Sequence, residues 1–126
     1  MERFEKMKLR TALIGILGVI GVFADLSALF SPGGTLKDDN LSVTALSNFR
    51  AYAGAGLIMA LFALYSLSRK HLQDTAITLL IISLIGWTIG QVLSLVADGK
   101  PDTFTVGSII VQALLIPVAW KALKSK

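Results

Sequence analysis

Four long apolar stretches constrain the fold of this 126-residue chain more than any other feature of its sequence. A helix rises about 1.5 Å per residue, so crossing the roughly 30 Å hydrocarbon core of a bilayer takes about 20 residues. We place the predicted spans at residues 9–30, 48–67, 75–97 and 104–120. The sequence therefore predicts an all-α, polytopic membrane protein that folds as a four-transmembrane-helix bundle.

The composition supports this prediction for a single membrane domain over residues 1–126. Charged residues make up only 16% of the chain, whereas an ordinary soluble domain has about 25%. A small soluble domain has a large surface relative to its volume, and so few charges cannot cover it. The first stretch is expected to remain as a helix, because it is longer than the apolar core of a signal peptide and no small-residue cleavage site closes it.

The basic residues predict the orientation. In a four-span chain, the N-terminus, the turn near residue 70 and the C-terminal tail lie on one side of the membrane, and the positive-inside rule assigns that side to the cytoplasm. We therefore predict a multi-pass protein of the bacterial cytoplasmic (inner) membrane with both termini cytoplasmic. The basic residues on the predicted cytoplasmic side are Arg3, Lys6, Lys8, Arg10, Arg69, Lys70, Lys121, Lys124 and Lys126.

Several classes of function are disfavoured by the residues that the chain carries. There is no cysteine, and the single histidine, His71, cannot form a metal site alone. The sequence contains no Ser-His-Asp set, paired carboxylates or phosphate-binding loop. We therefore expect no catalytic residue, no metal and no cofactor. We also expect no nucleic-acid partner, because the net charge of +4 is spread over segment ends.

Polar side chains lie within the predicted spans or at their ends, mostly in the outer half of the membrane. Such side chains are costly in lipid and usually face other helices. One interpretation is structural: Asp25 neutralises Arg50, and the glutamines form hydrogen bonds between helices. The other is an outward-open binding site in which Arg50 binds an anionic head group. This candidate ligand-binding or structural cluster comprises Asp25, Asn48, Arg50, Gln91, Ser94, Asp98 and Gln112.

Small residues in the spans predict close helix packing, because helices in lipid associate where their backbones can approach. Gly86 and Gly90 form a GxxxG pair. We expect packing inside one bundle, with a homodimer interface as the alternative. The predicted packing glycines are Gly15, Gly18, Gly54, Gly86 and Gly90.

The connections carry their own signals. Pro32, Gly33 and Gly34 predict the end of the first helix. Asn40 or Ser42 is expected to cap a helical start before the second span. Asp98-Gly99-Lys100-Pro101-Asp102 predicts a tight turn after the third span.

Two motifs resemble a bacterial family of four-span membrane proteins that is catalogued as domain of unknown function 4345. Asn48-Phe49-Arg50-Ala51-Tyr52-Ala53-Gly54 resembles its Asn-x-x-Arg-Ala-x-x-Gly stretch, and Ser94-Leu95-Val96-Ala97-Asp98-Gly99-Lys100-Pro101 is similar to its Ser-x-x-x-Asp-Gly-x-Pro stretch. The resemblance follows the order and spacing of nearly the whole chain. It implies a four-span membrane fold and supplies no established activity.

The chain departs from the family pattern at two positions. Family members usually resemble Gly-Arg before the serine and place a glutamate in the fourth span, where this chain has Gln91 and Gln112. Losing only one of two paired charges would leave the other buried and unpaired. The two positions are therefore expected to touch, and any activity that needs the charge pair is in doubt.

The leading functional hypothesis is a non-enzymatic membrane module in the lipid bilayer. It would pack against a partner, either in a homodimer or with another membrane protein, or bind a lipid-like ligand. The first alternative is a small proton-coupled transporter in which Asp25 titrates. The second is a membrane enzyme that acts on lipid or quinone through Asp25, Arg50 or Asp98.

Overall fold

The helical class predicted from the sequence is confirmed. The computed structural model describes residues 2–31, 42–99 and 103–125. These residues form helices α1 (Glu2–Phe30), α2 (Val43–Ser66), α3 (Gln73–Asp98) and α4 (Thr103–Lys124), with a short 3-10 turn at Lys70–Leu72. The described residues contain no strand, and the four long helices fit a four-helix bundle.

Each of the four helices contains a segment that is long and apolar enough to cross a membrane. These segments are Lys8–Phe30, Ala45–Ser66, Lys70–Ala97 and Thr105–Lys124. Every helix also exposes large apolar side chains, and Phe23, Ile58, Leu93 and Leu114 are each between 62% and 70% exposed. Water disfavours apolar exposure on this scale, whereas lipid tails accept it.

The second helix begins at Val43, before the predicted span at residue 48, which agrees with the predicted helical start ahead of that span. The Oγ of Ser42 accepts a hydrogen bond from the backbone N–H of Ala45 at 3.1 Å, which satisfies one of the unpaired donors of the first turn. Ser42 is therefore the cap. The other candidate, Asn40, and the predicted stop at Pro32, Gly33 and Gly34 lie outside the described residues.

The third helix ends at a glycine-dependent bend. Its last residue is Asp98, and Gly99 follows with a φ of +100°. Glycine adopts a positive φ without the steric cost that a Cβ imposes. The predicted turn therefore begins where expected, while residues 100–102 lie outside the described residues.

The chain divides into two compact units, one of Met1–Leu13 with Asp74–Lys126 and one of Ile14–Gln73. The first unit therefore contains the start of α1 with α3 and α4. The second contains the rest of α1 with α2. A single domain over residues 1–126 stays a prediction.

Within the second unit, α1 and α2 approach closely at glycines. A Cβ added to Gly18 would lie 2.7 Å from Leu64 Cδ2, and one added to Gly21 would lie 2.9 Å from Ala60 Cβ. Real Cβ atoms do not come this close to a neighbour, so the packing depends on the absence of a side chain. A Cβ at Gly15 would make an ordinary contact with Leu67, at 4.0 Å.

The other predicted packing glycines have no such contact in their own units. A Cβ added to Gly54, Gly86 or Gly90 would meet no atom of its unit within 4 Å. At these three positions the described residues of the unit leave open space beside the helix backbone. Glycine spacing identifies a small-residue face, but it does not tell which neighbour covers that face.

Candidate functional site

A connected set of uncharged polar side chains joins α3 to α4. Gln112 Nε2 donates to Ser108 Oγ at 2.9 Å, and Gln91 Nε2 reaches the same oxygen at 3.5 Å. Thr88 Oγ1 lies 2.9 Å from Gln112 Oε1 and donates to it. We refer to Thr88, Gln91, Ser108 and Gln112 as the α3–α4 polar network.

Helical spacing and membrane depth explain why these four side chains meet. Thr88 and Gln91 are three residues apart on α3, and Ser108 and Gln112 are four apart on α4, so each pair shares a helix face. Gln91 lies about 10 Å before the end of α3, and Gln112 lies about 13 Å after the start of α4. Lipid at this depth offers no hydrogen-bonding groups, so the side chains bond to one another.

One acceptor of the α3–α4 polar network has no partner, and one hydroxyl faces two acceptors. Gln91 Oε1 is buried and has no hydrogen-bond partner. Thr88 Oγ1 lies 2.7 Å from the carbonyl of Leu84 and 2.9 Å from Gln112 Oε1. A hydroxyl has one proton to donate, so these two oxygens compete for it.

An open pocket of about 390 Å³ borders the network. Its described lining consists of Gly107, Ser108, Val111 and Gln112, all of α4, and includes no charged side chain. The pocket lining thus combines two polar side chains, Ser108 and Gln112, with an apolar surface. Among the described residues, no group of three or more histidine, aspartate or glutamate side chains is placed to hold a metal ion.

The predicted site residues of the first unit are partly brought together. Gln91 and Gln112 meet through Ser108, to which both amides donate. Ser94 lies exposed on α3, and Asp98 is the last residue of that helix. The side chain of Asp98 lies outside the described part of the chain.

The predicted site residues of the second unit do not form the expected ion pair. Arg50 Nε donates to the carbonyl of Leu29 at 3.1 Å, in the last turn of α1, where carbonyls lack helical partners. The carboxylate of Asp25 instead lies against Gly56, where an added Cβ would be 2.7 Å from Oδ2. Arg50 therefore satisfies the end of α1 rather than neutralising Asp25, and Asn48 is exposed.

Sequence reasoning missed a partly buried ion pair in the first unit. Arg10 is only 8% exposed, pairs with Asp74, and donates from Nη1 to the carbonyl of Ser125 at 3.2 Å. From its position in the sequence, Arg10 is predicted only to be one of the basic residues that orient the chain in the membrane. The signal in the sequence was Asp74, because a carboxylate at the start of an apolar segment usually pairs with a cation.

These contacts bring three chain segments together at one end of the unit. The start of α1, the start of α3 and the end of α4 meet at Arg10, Asp74 and Ser125. Helices α3 and α4 therefore run in opposite directions, as consecutive membrane spans must.

The family resemblance is confirmed by comparison with known protein families. The model described as "Domain of unknown function (DUF4345)" matches residues 9–123. No curated protein and no solved structure matches the chain. The family match extends over most of α1 and α4 and all of α2 and α3. The chain therefore belongs to the family described as domain of unknown function DUF4345.

Proposed function

We propose that the protein is a non-enzymatic module of the bacterial cytoplasmic membrane that binds the polar group of a lipid-like ligand at the α3–α4 polar network. The observation that carries this proposal is the buried Gln91 Oε1, which has no hydrogen-bond partner. An unsatisfied buried acceptor costs about 1–3 kcal/mol. A ligand in the adjacent pocket meets the network at Ser108 and Gln112, and a donor that it supplies there lets these side chains rearrange to bond Gln91 Oε1.

The orientation belongs to the same proposal. The contact among Arg10, Asp74 and Ser125 supports placing the N-terminus, the α2–α3 turn and the C-terminus on one side. Those segments carry most of the lysines and arginines of the chain. By the positive-inside rule that side is the cytoplasm.

Native mass spectrometry of the protein purified in mild detergent tests ligand binding. We expect a bound lipid in the wild type and its loss in Ser108→Leu, which removes the shared oxygen and fills the pocket. Ala113→Leu is the control, because it adds the same side chain at an exposed position of α4 outside the network. A wild type without lipid or partner contradicts the proposal, as does equal lipid loss in both variants.

A protein partner is the alternative occupant of the network. A homodimer would appear as a doubled mass without bound lipid, and a second membrane protein as a different added mass. If Ser108→Leu abolished that complex and Ala113→Leu did not, the network would bind the partner rather than a lipid.

One observation favours proton-coupled transport as a second candidate function. The carboxylate of Asp25 lies within a span on the bare backbone of Gly56, and it is not paired with Arg50. Such a carboxylate has the chemistry to carry a proton. If Asp25→Asn folded normally but abolished substrate-dependent proton movement in proteoliposomes, transport would replace the module proposal. No contact among the described residues favours the lipid or quinone enzyme in the same way.

A further inference from the structure

Asp25 places a carboxylate inside a candidate membrane span without a counter-charge from the described residues. It lies five residues before the end of α1, about 7 Å along the helix axis, in the candidate span Lys8–Phe30. Within the described part of the chain no hydrogen bond or ion pair reaches its oxygens, because Arg50 bonds the carbonyl of Leu29 instead. An ionised carboxylate is costly in lipid, so this one requires a proton or a cation.

Two residues of α2, one helical turn apart, lie beside this carboxylate. A Cβ added to Gly56 would be 2.7 Å from Oδ2 and 2.9 Å from Oδ1 of Asp25, so both oxygens lie against bare backbone. Tyr52 is four residues before Gly56 and shares its helix face. It is close enough to Asp25 for the two side chains to interact electrostatically, and it is 53% exposed. A carboxylate and the face of an aromatic ring both attract cations.

We propose that Asp25 and Tyr52 bind the protonated amine of a hydrophobic ligand. The ammonium N–H groups donate to the carboxylate of Asp25, which supplies both its missing counter-charge and its missing donors. The ring of Tyr52 adds a cation–π interaction. This site lies in the second unit and is separate from the α3–α4 polar network. It requires only that the amine binds, whether or not the protein transports it.

The available side chains favour an organic cation over a metal ion. A cation such as Ca²⁺ takes about six to eight oxygen ligands, and the described residues contain no group of three or more carboxylate or histidine side chains placed to hold a metal. The surface of α1 on either side of Asp25 is apolar, with Phe23 70% and Leu26 36% exposed. A hydrophobic amine places its charge at Asp25 and its hydrocarbon chain along this surface.

Four probes separate the possible chemistries by isothermal titration calorimetry in uncharged maltoside micelles, with a titration into empty micelles subtracted. Octylammonium carries both the charge and the N–H donors. Octyltrimethylammonium keeps the charge but cannot donate, and 1-octanol keeps a donor without the charge. Sodium chloride tests an inorganic cation.

The wild type is expected to bind octylammonium about tenfold more tightly than octanol, the factor that a hydrogen bond to a charged group supplies. Octyltrimethylammonium should bind with intermediate affinity. Asp25→Asn should abolish the preference for octylammonium, and Tyr52→Leu should weaken its binding about threefold. Glu5→Gln is the control, because it removes an exposed carboxylate near the start of α1 and should bind like the wild type. The comparison of probes in the wild type stands if Asp25→Asn fails to fold.

Several results would overturn the inference. Equal binding of octylammonium and octanol would show that the charge is not recognised, and equal binding of octyltrimethylammonium would exclude the N–H donor. Displacement of octylammonium by sodium at equal concentration would identify an inorganic cation site. Octylammonium binding that is unchanged in Asp25→Asn or in Tyr52→Leu would place the cation elsewhere.

The same titration separates this inference from the proposed lipid site. Ser108→Leu, which is designed to block that site, should leave the affinity for octylammonium unchanged, because Ser108 belongs to the other unit. Loss of octylammonium binding in Ser108→Leu but not in Asp25→Asn would overturn the inference and assign the amine to the α3–α4 polar network.

Discussion

The carboxylate of Asp25 occupies the space that a side chain at position 56 would take. An added Cβ at Gly56 would lie 2.7 Å from Oδ2 and 2.9 Å from Oδ1 of Asp25. The two residues belong to different helices of the same unit, so the absence of a side chain at position 56 sets how closely α1 approaches α2 there. Alanine at position 56 would therefore displace the Asp25 carboxylate from its position against α2.

Gly56→Ala is therefore expected to lower the free energy of unfolding by about 1 kcal/mol, the low end of the cost of overpacking, because the atoms that must move are at the end of the Asp25 side chain. The matched control is Gly54→Ala on the same helix, where an added Cβ meets no atom of its unit within 4 Å. Alanine there should leave stability unchanged or raise it by up to about 1 kcal/mol. Unfolding in mixed detergent micelles measures both, and equal effects would show that Gly56 is not a packing contact.

A second residue-scale prediction concerns the hydroxyl of Thr88. Thr88 and Thr78 each bond a carbonyl four residues earlier on α3, but the hydroxyl of Thr88 also bonds Gln112. Thr88→Val should therefore destabilise the protein by about 1 kcal/mol more than Thr78→Val. The same unfolding assay checks this difference. Indistinguishable variants would mean that the bond to Gln112 does not hold α3 to α4.

The sequence predicted the glutamines of the α3–α4 polar network but not its hydroxyl members. An amide inside an apolar span is costly and therefore conspicuous, which pointed to Gln91 and Gln112. A serine or threonine can satisfy itself on its own helix backbone, so Thr88 and Ser108 give no comparable signal. The family comparison suggested that the two amides touch, and the contact runs through the hydroxyl of Ser108.

At the scale of helices, the ends of α1, α3 and α4 are joined by one guanidinium. Arg10 is buried, pairs with Asp74 at the start of α3, and bonds the Ser125 carbonyl just after α4. A buried cation that loses its partner is strongly destabilising, whereas an exposed pair contributes little. The side chain of Asp74 is 41% exposed, so the effect should lie between these limits.

Asp74→Asn is expected to cost about 2 kcal/mol, because it leaves the buried Arg10 without a counter-charge. Arg10→Lys should also destabilise, since a single ammonium cannot match the two separate contacts of the guanidinium fork. Lys121→Gln is the control, as it removes an exposed charge at the end of α4. Thermal unfolding in detergent compares the stability of the three variants. If Lys121→Gln destabilised the protein as much as Asp74→Asn, the stabilising role of the ion pair would be contradicted.

Hydropathy predicted four apolar spans, and the helices extend beyond them for a physical reason. It detects the apolar part of a helix, whereas α1 continues back to Glu2 through polar residues and α2 begins at the Ser42 cap. The pairing of Arg10 with Asp74 escaped prediction because the two residues are 64 positions apart in sequence. Glycine spacing likewise did not separate Gly18, which packs, from Gly86 and Gly90, which meet no atom of their own unit.

For the whole molecule, the proposed topology is supported by the charge distribution and by contacts within the first unit. The first unit brings the start of α1, the start of α3 and the end of α4 to one end. At that end of α4, Lys124 Nζ lies 5.1 Å from the ring centre of Trp120, a pairing typical of the membrane–water interface. The central proposal is that the four helices cross the membrane and leave both termini on the cytoplasmic side.

Labelling of single cysteines tests this claim most directly, because the chain has no cysteine of its own. Lys70→Cys and Lys121→Cys mark one predicted side, and Asn48→Cys and Thr103→Cys mark the other; all four positions are exposed. With a membrane-impermeant maleimide, we expect positions 48 and 103 to react in intact spheroplasts, and positions 70 and 121 only in inverted vesicles. Reaction of positions 70 and 121 from opposite sides, or of 48 and 70 from the same side, would contradict the four-span account.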